Sequence, residues 1–174
     1  PSQILRLRDL SKDNHHSHVD FPKLRRGGVD GAFFALYIPA SMDSDPEAAM
    51  SYAEKLISAV YSATEENKNM AAITCSAAQA YDNKDNGLFS VFLGLENGSP
   101  VGRSIDRIGW FYDKGVRYMT LCHSGNNEIC DSCATGIKRW NGLSPFGREV
   151  VAEMNRLGML IDVSHISDAS FYDV

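Results

Sequence analysis

The amino-acid sequence predicts an α/β fold of parallel strands alternating with helices, of the (β/α)8 barrel type. Short apolar runs bounded by turn residues alternate with longer segments of helical spacing, and no hairpin signal joins two runs directly. That alternation builds a parallel sheet with crossover helices. Three of the runs also end on a residue fit for metal binding or acid/base work: 88–95 on Glu96, 116–122 on His123 and 159–164 on His165. In parallel barrels the chemistry sits at the C-terminal strand ends, so these three side chains should converge on one face.

Residues 1–10 form a short amphipathic segment carrying Ile4, Leu5, Leu7 and Leu10, and residues 11–18 a polar loop. The basic run Lys23-Leu24-Arg25-Arg26 reads as a solvated turn. A continuous apolar strand follows over 32–38, stopped by Pro39, as expected of a strand buried on both faces. Asp45-Pro46 opens a helix to about Asn67, with Met50, Ala53, Ile57, Val60 and Tyr61 at helical spacing. A short strand at 70–74 and a helix over 76–86 come next. Strand 88–95 leads to a helix over 103–114, ended by Gly115, and then to strand 116–122. The loop 124–142 is rich in Gly, Asn, Asp, Ser and Cys, a length and composition that mark a functional or a disordered loop. Ser144-Pro145 starts a helix whose buried face is Phe146, Val150, Met154 and Leu157; Gly158 stops it before strand 159–164.

The 174 residues suit a single domain over 1–174, whereas a complete barrel takes about 250. With five strands against the eight of a closed barrel, the chain is expected to carry about five βα units of an incomplete barrel. A net charge of −5, with basic residues scattered, argues against a nucleic-acid partner or an anionic membrane surface. No run is long and apolar enough to span a bilayer and no signal pattern opens the sequence, so the compartment stays open between cytoplasmic and exported. Cys130 and Cys133 have the spacing of half a zinc knuckle, but no second pair follows, and all four cysteines read as reduced thiols.

Strand alternation places Phe92 and Gly94 on the face of Glu96, Met119 and Leu121 on that of His123, and Ile161 and Val163 on that of His165. An ionisable group ending an apolar row is costly to bury unpaired, and a divalent cation is one partner that offsets the cost. A Glu with imidazoles suits zinc or a similar borderline metal. The competing cluster His16-Ser17-His18-Val19-Asp20 has metal-like spacing but lies in a polar segment with no strand to aim it.

Several stretches resemble the membrane (renal) dipeptidase family of zinc metallopeptidases, in the amidohydrolase superfamily. They are 20–37 (DFPKLRRGGVDGAFFALY), 94–98 (GLENG), 115–127 (GVRYMTLCHSGNN), 142–151 (GLSPFGREVV) and 155–165 (NRLGMLIDVSH). The resemblance implies a (β/α)8 barrel with two zinc ions and a dipeptide substrate, with tolerance of a D-residue on the C-terminal side of the bond. It implies Glu96 as a catalytic residue and the carboxylate bridging both metals, His165 as a ligand of the second zinc, and His123 as a catalytic residue that binds substrate or stabilises the oxyanion. A metal-bridging hydroxide would attack the peptide carbonyl. A homodimer is a candidate assembly. The family's first-strand His-x-Asp motif is expected upstream of Pro1, and its further zinc histidine, substrate-binding Arg and general-base Asp beyond Val174. The alternatives are a non-catalytic relative serving as a binding or assembly module, and another hydrolase or deaminase of the superfamily.

Overall fold

A computed structural model describes residues 4–7 and 9–174, with the side chains of Arg6 and Leu7 left out. The expected N-terminal segment is seen in part as α1 (Ile4–Leu7), with Ile4 buried; its remaining positions, 1–3 and 8, lie outside the described residues. The elements then run α2 (Phe21–Arg26), β1 (Gly31–Tyr37), α3 (Pro46–Glu66), β2 (Ala71–Ile73), α4 (Ala77–Asp85) and β3 (Phe89–Glu96). They continue with α5 (Asp106–Asp113), β4 (Val116–Thr120), α6 (Pro145–Leu157), β5 (Leu160–Asp162) and α7 (Asp168–Asp173).

Helix starts follow from side-chain caps that satisfy the free N–H groups of a first turn. Asp45 accepts from Ala48 N at 3.0 Å, Ser76 from Gln79 N at 3.2 Å and Ser144 from Gly147 N at 2.8 Å. Helix α6 ends where Gly158 turns left-handed at φ 72°, a conformation that penalises any Cβ. The run 23–26 departs from the sequence reading. Asp20 caps it through Lys23 N, Lys23 Nζ and Arg26 pair with Asp13, and the segment folds as α2 rather than a turn. The cap and the ion pairs lie ahead of the run, where composition alone does not reveal them.

All strand pairings are parallel, and the five-stranded sheet runs β1-β3-β4-β5. Strand β2 is not a step in that path. It pairs with Phe89–Val91 on β3, while β4 pairs with residues 93–96 of β3, with a register shift between Leu93 and Gly94.

One face of the sheet carries Leu36, Val91, Leu93, Leu95 and Met119, all 1% exposed or less. They belong to one core with Ala53, Leu56 and Val60 of α3, Ile108 and Phe111 of α5, and Val150 and Met154 of α6. Each large side chain fully buried there contributes about 1.5–3 kcal/mol relative to exposure. The opposite face carries Phe33, Phe92, Tyr118 and Leu160, with Phe33 44% and Leu160 61% exposed. The face is open at those two residues, whereas toward its base Ser90 is buried and accepts from Asn83 of α4 at 3.0 Å.

Candidate active site

The register aligns Tyr37, Glu96, Thr120 and Asp162 in a single row across the C-terminal end of the sheet. Strand alternation puts these side chains on the same face as Phe92 and Tyr118. His123 and His165 lie beyond the last paired residues of β4 and β5, and neither is aimed by its strand. The row companions inferred from alternation are thus corrected. Met119 is buried on the helix-facing side, and Ile161, its register partner, shares that side. The site-facing residues are instead Tyr118, Thr120, Leu160 and Asp162, because the strands end at Thr120 and Asp162 and the count of two no longer applies past them.

The three ligand-type residues nevertheless meet. One side-chain donor atom from each of Glu96, His123 and His165 lies within 4.8 Å of the others. His123 Nε2 is 3.5 Å from Glu96 Oε1, and the two imidazole rings are 4.1 Å apart between centroids. Ligands held at 2.0–2.2 Å around a tetrahedral ion stand roughly 3.4 Å from one another, so the carboxylate–imidazole spacing suits zinc. The donor set of one carboxylate and imidazole nitrogens fits as well. All three residues are half-buried or exposed and face the open side. Tyr37 packs edge-on against His123 at 5.0 Å.

A buried polar hub supports Glu96 and His123 from below. Asn97 is wholly buried and left-handed at φ 84°. Its Nδ2 donates to Ile38 O at 3.1 Å and to Asp43 Oδ1 at 2.8 Å. Its Oδ1 accepts from Ser99 Oγ at 2.7 Å and from Asn127 Nδ2 at 3.2 Å. Asn127 Nδ2 also donates to Leu121 O at 2.8 Å. These bonds join the ends of β1, β3 and β4, so the residues following each strand cannot drift independently.

The loop 124–142 is ordered by its own side chains. Asp131 accepts from Arg139 N, Trp140 N and Asn141 N at 2.8–3.1 Å. Ser132 Oγ donates to His123 O at 2.6 Å, and Cys133 N to His165 O at 2.9 Å, which ties both histidine backbones to the loop. All four cysteines are free thiols, as expected; the neighbouring Cys122 thiol, with burial adding to it, pushes the Cys130 thiol well up.

At the β5 end, Thr120 Oγ1 donates to Asp162 Oδ2 at 2.6 Å, and Ser164 donates to Asp162 Oδ1 through N at 3.0 Å and Oγ at 2.7 Å. Burial opposes ionisation of Asp162, but these hydrogen bonds and the nearby His165 hold its carboxyl below the usual range. Burial, with the Glu96 and Asp162 carboxylates adding to it, pushes the Tyr118 phenol up to about 12 and keeps it protonated. His165 itself is left-handed at φ 68°, which costs a non-glycine residue about 1–2 kcal/mol. Asp162, Thr120, Tyr37 and Asn97 escape a reading based on apolar runs. The signal that finds them is register across neighbouring strands.

His16 and His18 are exposed, and Asp20 is taken up as a helix cap, so that cluster forms no site. A separate apolar cleft of about 280 Å³ beside the first half of β1 shares no residue with the Glu96 cluster. No helix among the described residues is long and apolar enough to cross a membrane.

A parallel αβ sheet with a carboxylate and imidazoles gathered at its C-terminal strand ends has the form of a metal-dependent hydrolase barrel. Residues 2–174 match the profile of the membrane dipeptidase family, peptidase family M19, and the chain belongs to that family. It is 31% identical over 176 residues to dipeptidase aclJ of Aspergillus oryzae, a match covering 97% of this chain and 42% of that protein. A solved structure described as dipeptidase AC, a metallopeptidase of family M19, shares the fold with a TM-score of 0.86 at 23% identity, over 99% of this chain and 56% of that one. A metallopeptidase from Rhodobacter sphaeroides, solved with a phosphinate mimic of the dipeptide L-Ala-D-Ala, gives a TM-score of 0.83 at 22% identity, again over 99% and 56%. The chain thus spans about half or less of the length of the proteins it matches.

Proposed function

We propose that residues 1–174 form one side of a single metallodipeptidase barrel domain that hydrolyses dipeptides with two zinc ions. The observation that carries this reading is the meeting of Glu96, His123 and His165, from three separate strand ends, with donor atoms within 4.8 Å. Membership of a dipeptidase family and the likeness to a structure holding a dipeptide mimic support the substrate class.

Glu96 and His165 would hold metal, Glu96 as the carboxylate common to both ions. Zinc would supply a hydroxide nucleophile near neutral pH and polarise the scissile carbonyl. His123, on the rim and edge-on to Tyr37, would contact the substrate carbonyl and stabilise the oxyanion as it develops. Asn97 and its partners keep Glu96 and His123 in register, so that little reorganisation is needed when charge builds. The 3.5 Å approach of His123 Nε2 to Glu96 favours a second reading in which His123 is itself a ligand. A homodimer belongs to the same proposal and is checked by sedimentation.

The test is zinc-dependent release of amino acids from dipeptides, including pairs ending in a D-residue, by the full-length protein. Activity lost to a chelator and restored by zinc supports the proposal. A zinc-loaded protein that cleaves no dipeptide sinks it, and a different released product would point to another reaction of the superfamily. In His123→Asn, metal content retained with activity lost favours the substrate role; metal lost favours the ligand role.

A further inference from the structure

His165 is the one member of the ligand cluster that is exposed, lies beyond its strand and adopts a left-handed backbone at φ 68°. A strained conformation at such a position persists only where neighbouring groups over-determine it. The neighbours that do so are visible. Asp162 ends β5, and Oδ1 receives both Ser164 N and Ser164 Oγ, closing a tight turn immediately before His165. Its Oδ2 receives Thr120 Oγ1, and Thr120 is the register partner of both Asp162 and Glu96. The hydroxyl of Thr120 therefore spans from the strand beside Glu96 to the strand that launches His165. On the far side, Cys133 N and Ser132 Oγ bind His165 O at 2.9 and 3.3 Å.

We propose that Asp162 is a positioning residue. Its carboxylate, held between Thr120 and Ser164, sets the turn that brings the His165 imidazole onto Glu96 and His123. This rests on the reading above that Glu96 and His165 hold metal. It extends that reading by assigning Asp162 and Thr120 a role in building the site. An aspartate suits the task because each oxygen takes a separate partner, and the negative charge beside His165 makes the imidazole a stronger donor to a cation.

The experiment compares Asp162→Ala, Asp162→Asn and Thr120→Val with the wild type in the full-length protein. Zinc affinity is read by competition with a chromogenic chelator. The imidazole ¹⁵N signals of His165 and His123 are read in the metal-free protein. Loss of an outer-shell partner lowers metal affinity about 10–100-fold, so Asp162→Ala is expected in that range, with the His165 signals displaced and those of His123 little changed. Asp162→Asn keeps an oxygen for Ser164 and a donor toward Thr120 and should recover much of the loss; Thr120→Val should lie between wild type and Asp162→Ala. Wild-type zinc affinity with unmoved His165 signals in Asp162→Ala overturns the proposal. If that variant fails to fold, the same result in Asp162→Asn and Thr120→Val together overturns it. A wild-type protein that binds no zinc overturns the metallodipeptidase reading instead, and the His165 signals of the metal-free variants still decide the role of Asp162.

Discussion

At the end of β3, Glu96 is followed by a wholly buried asparagine whose amide is bonded to a carbonyl, a carboxylate, a hydroxyl and a second amide. At the end of β5, His165 follows a turn organised by the half-buried carboxylate of Asp162 and two hydroxyls. Both devices fix a side chain past the last ladder hydrogen bond, and both use a residue in a left-handed conformation, Asn97 or His165 itself. They differ in what they are coupled to. The hub lies inside the core, so loss of any member leaves buried polar groups unpaired and weakens the whole fold. The β5 clamp is more open, for Thr120 is buried but Asp162 is half-buried and Ser164 exposed, so water can replace part of what is lost, and its loss should fall mainly on the site and cost less global stability. The same geometric task is thus performed once through stability and once through local order.

This contrast can be broken by substitution. The largest effect is expected at the two proposed ligands. Glu96→Gln or His165→Ala should lower dipeptide hydrolysis more than about a thousandfold, measured as kcat/KM with zinc in excess. Next comes the hub: Asn97→Ala should cost about 2–4 kcal/mol in urea unfolding, since it orphans several buried groups at once. Asp162→Ala, measured the same way, should cost less than about 1 kcal/mol while weakening zinc binding. Equal stability losses for the two would erase the distinction.

A third substitution sharpens it from the middle of the sheet. A Cβ on Gly94 would fall 2.0 Å from the ring of Tyr118, inside the open face. Gly94→Ala should therefore displace Tyr118 and cost about 1–3 kcal/mol, in proportion to how far the ring can give. Tyrosine fluorescence or ring NMR signals report the displacement. Gly94→Ala combined with Tyr118→Ala should recover part of the loss.

The smallest effect concerns acid. Asp20 is 1% exposed and remote from the site. Burial acts against its charge, but hydrogen bonds from Asn14 N and Lys23, with the Lys23 ammonium beside it, hold its carboxyl below the usual range. A depressed folded-state pKa means that the stabilisation is present above the unfolded value of about 3.9 and is lost as pH falls through the lower folded value. Asp20→Asn should flatten that acid limb of the stability curve while leaving zinc affinity at neutral pH unchanged. A change in zinc affinity would show that the N-terminal corner is coupled to the strand ends.

Much of this was readable without coordinates. The alternation of runs, the Asp-Pro and Ser-Pro helix starts and the stop at Gly158 are local signals, written within a few residues of where they act. Glu96, His123 and His165 were visible because each follows an apolar run, and the structure brings them together. The rows beneath them were not readable. Counting by twos from His123 and His165 pointed to Met119 and Ile161, which face the helices, because the strands stop two or three residues before each histidine. Strand β2 was visible as a strand, but its seat on the edge of β3 beneath β4 depends on a register shift that no single segment encodes.

By itself, the sequence determined most of the segments that become strands and helices, α2 and α7 excepted, and which three residues stand at strand ends, because hydrophobic periodicity and capping are properties of neighbours along the chain. Only the tertiary structure decided that Thr120 lies between Glu96 and Asp162, that Asn97 reaches across three strand ends, and that both histidines swing in against the count of their strands. Those facts depend on register and on where pairing stops. Both are settled by how separate segments pack against one another.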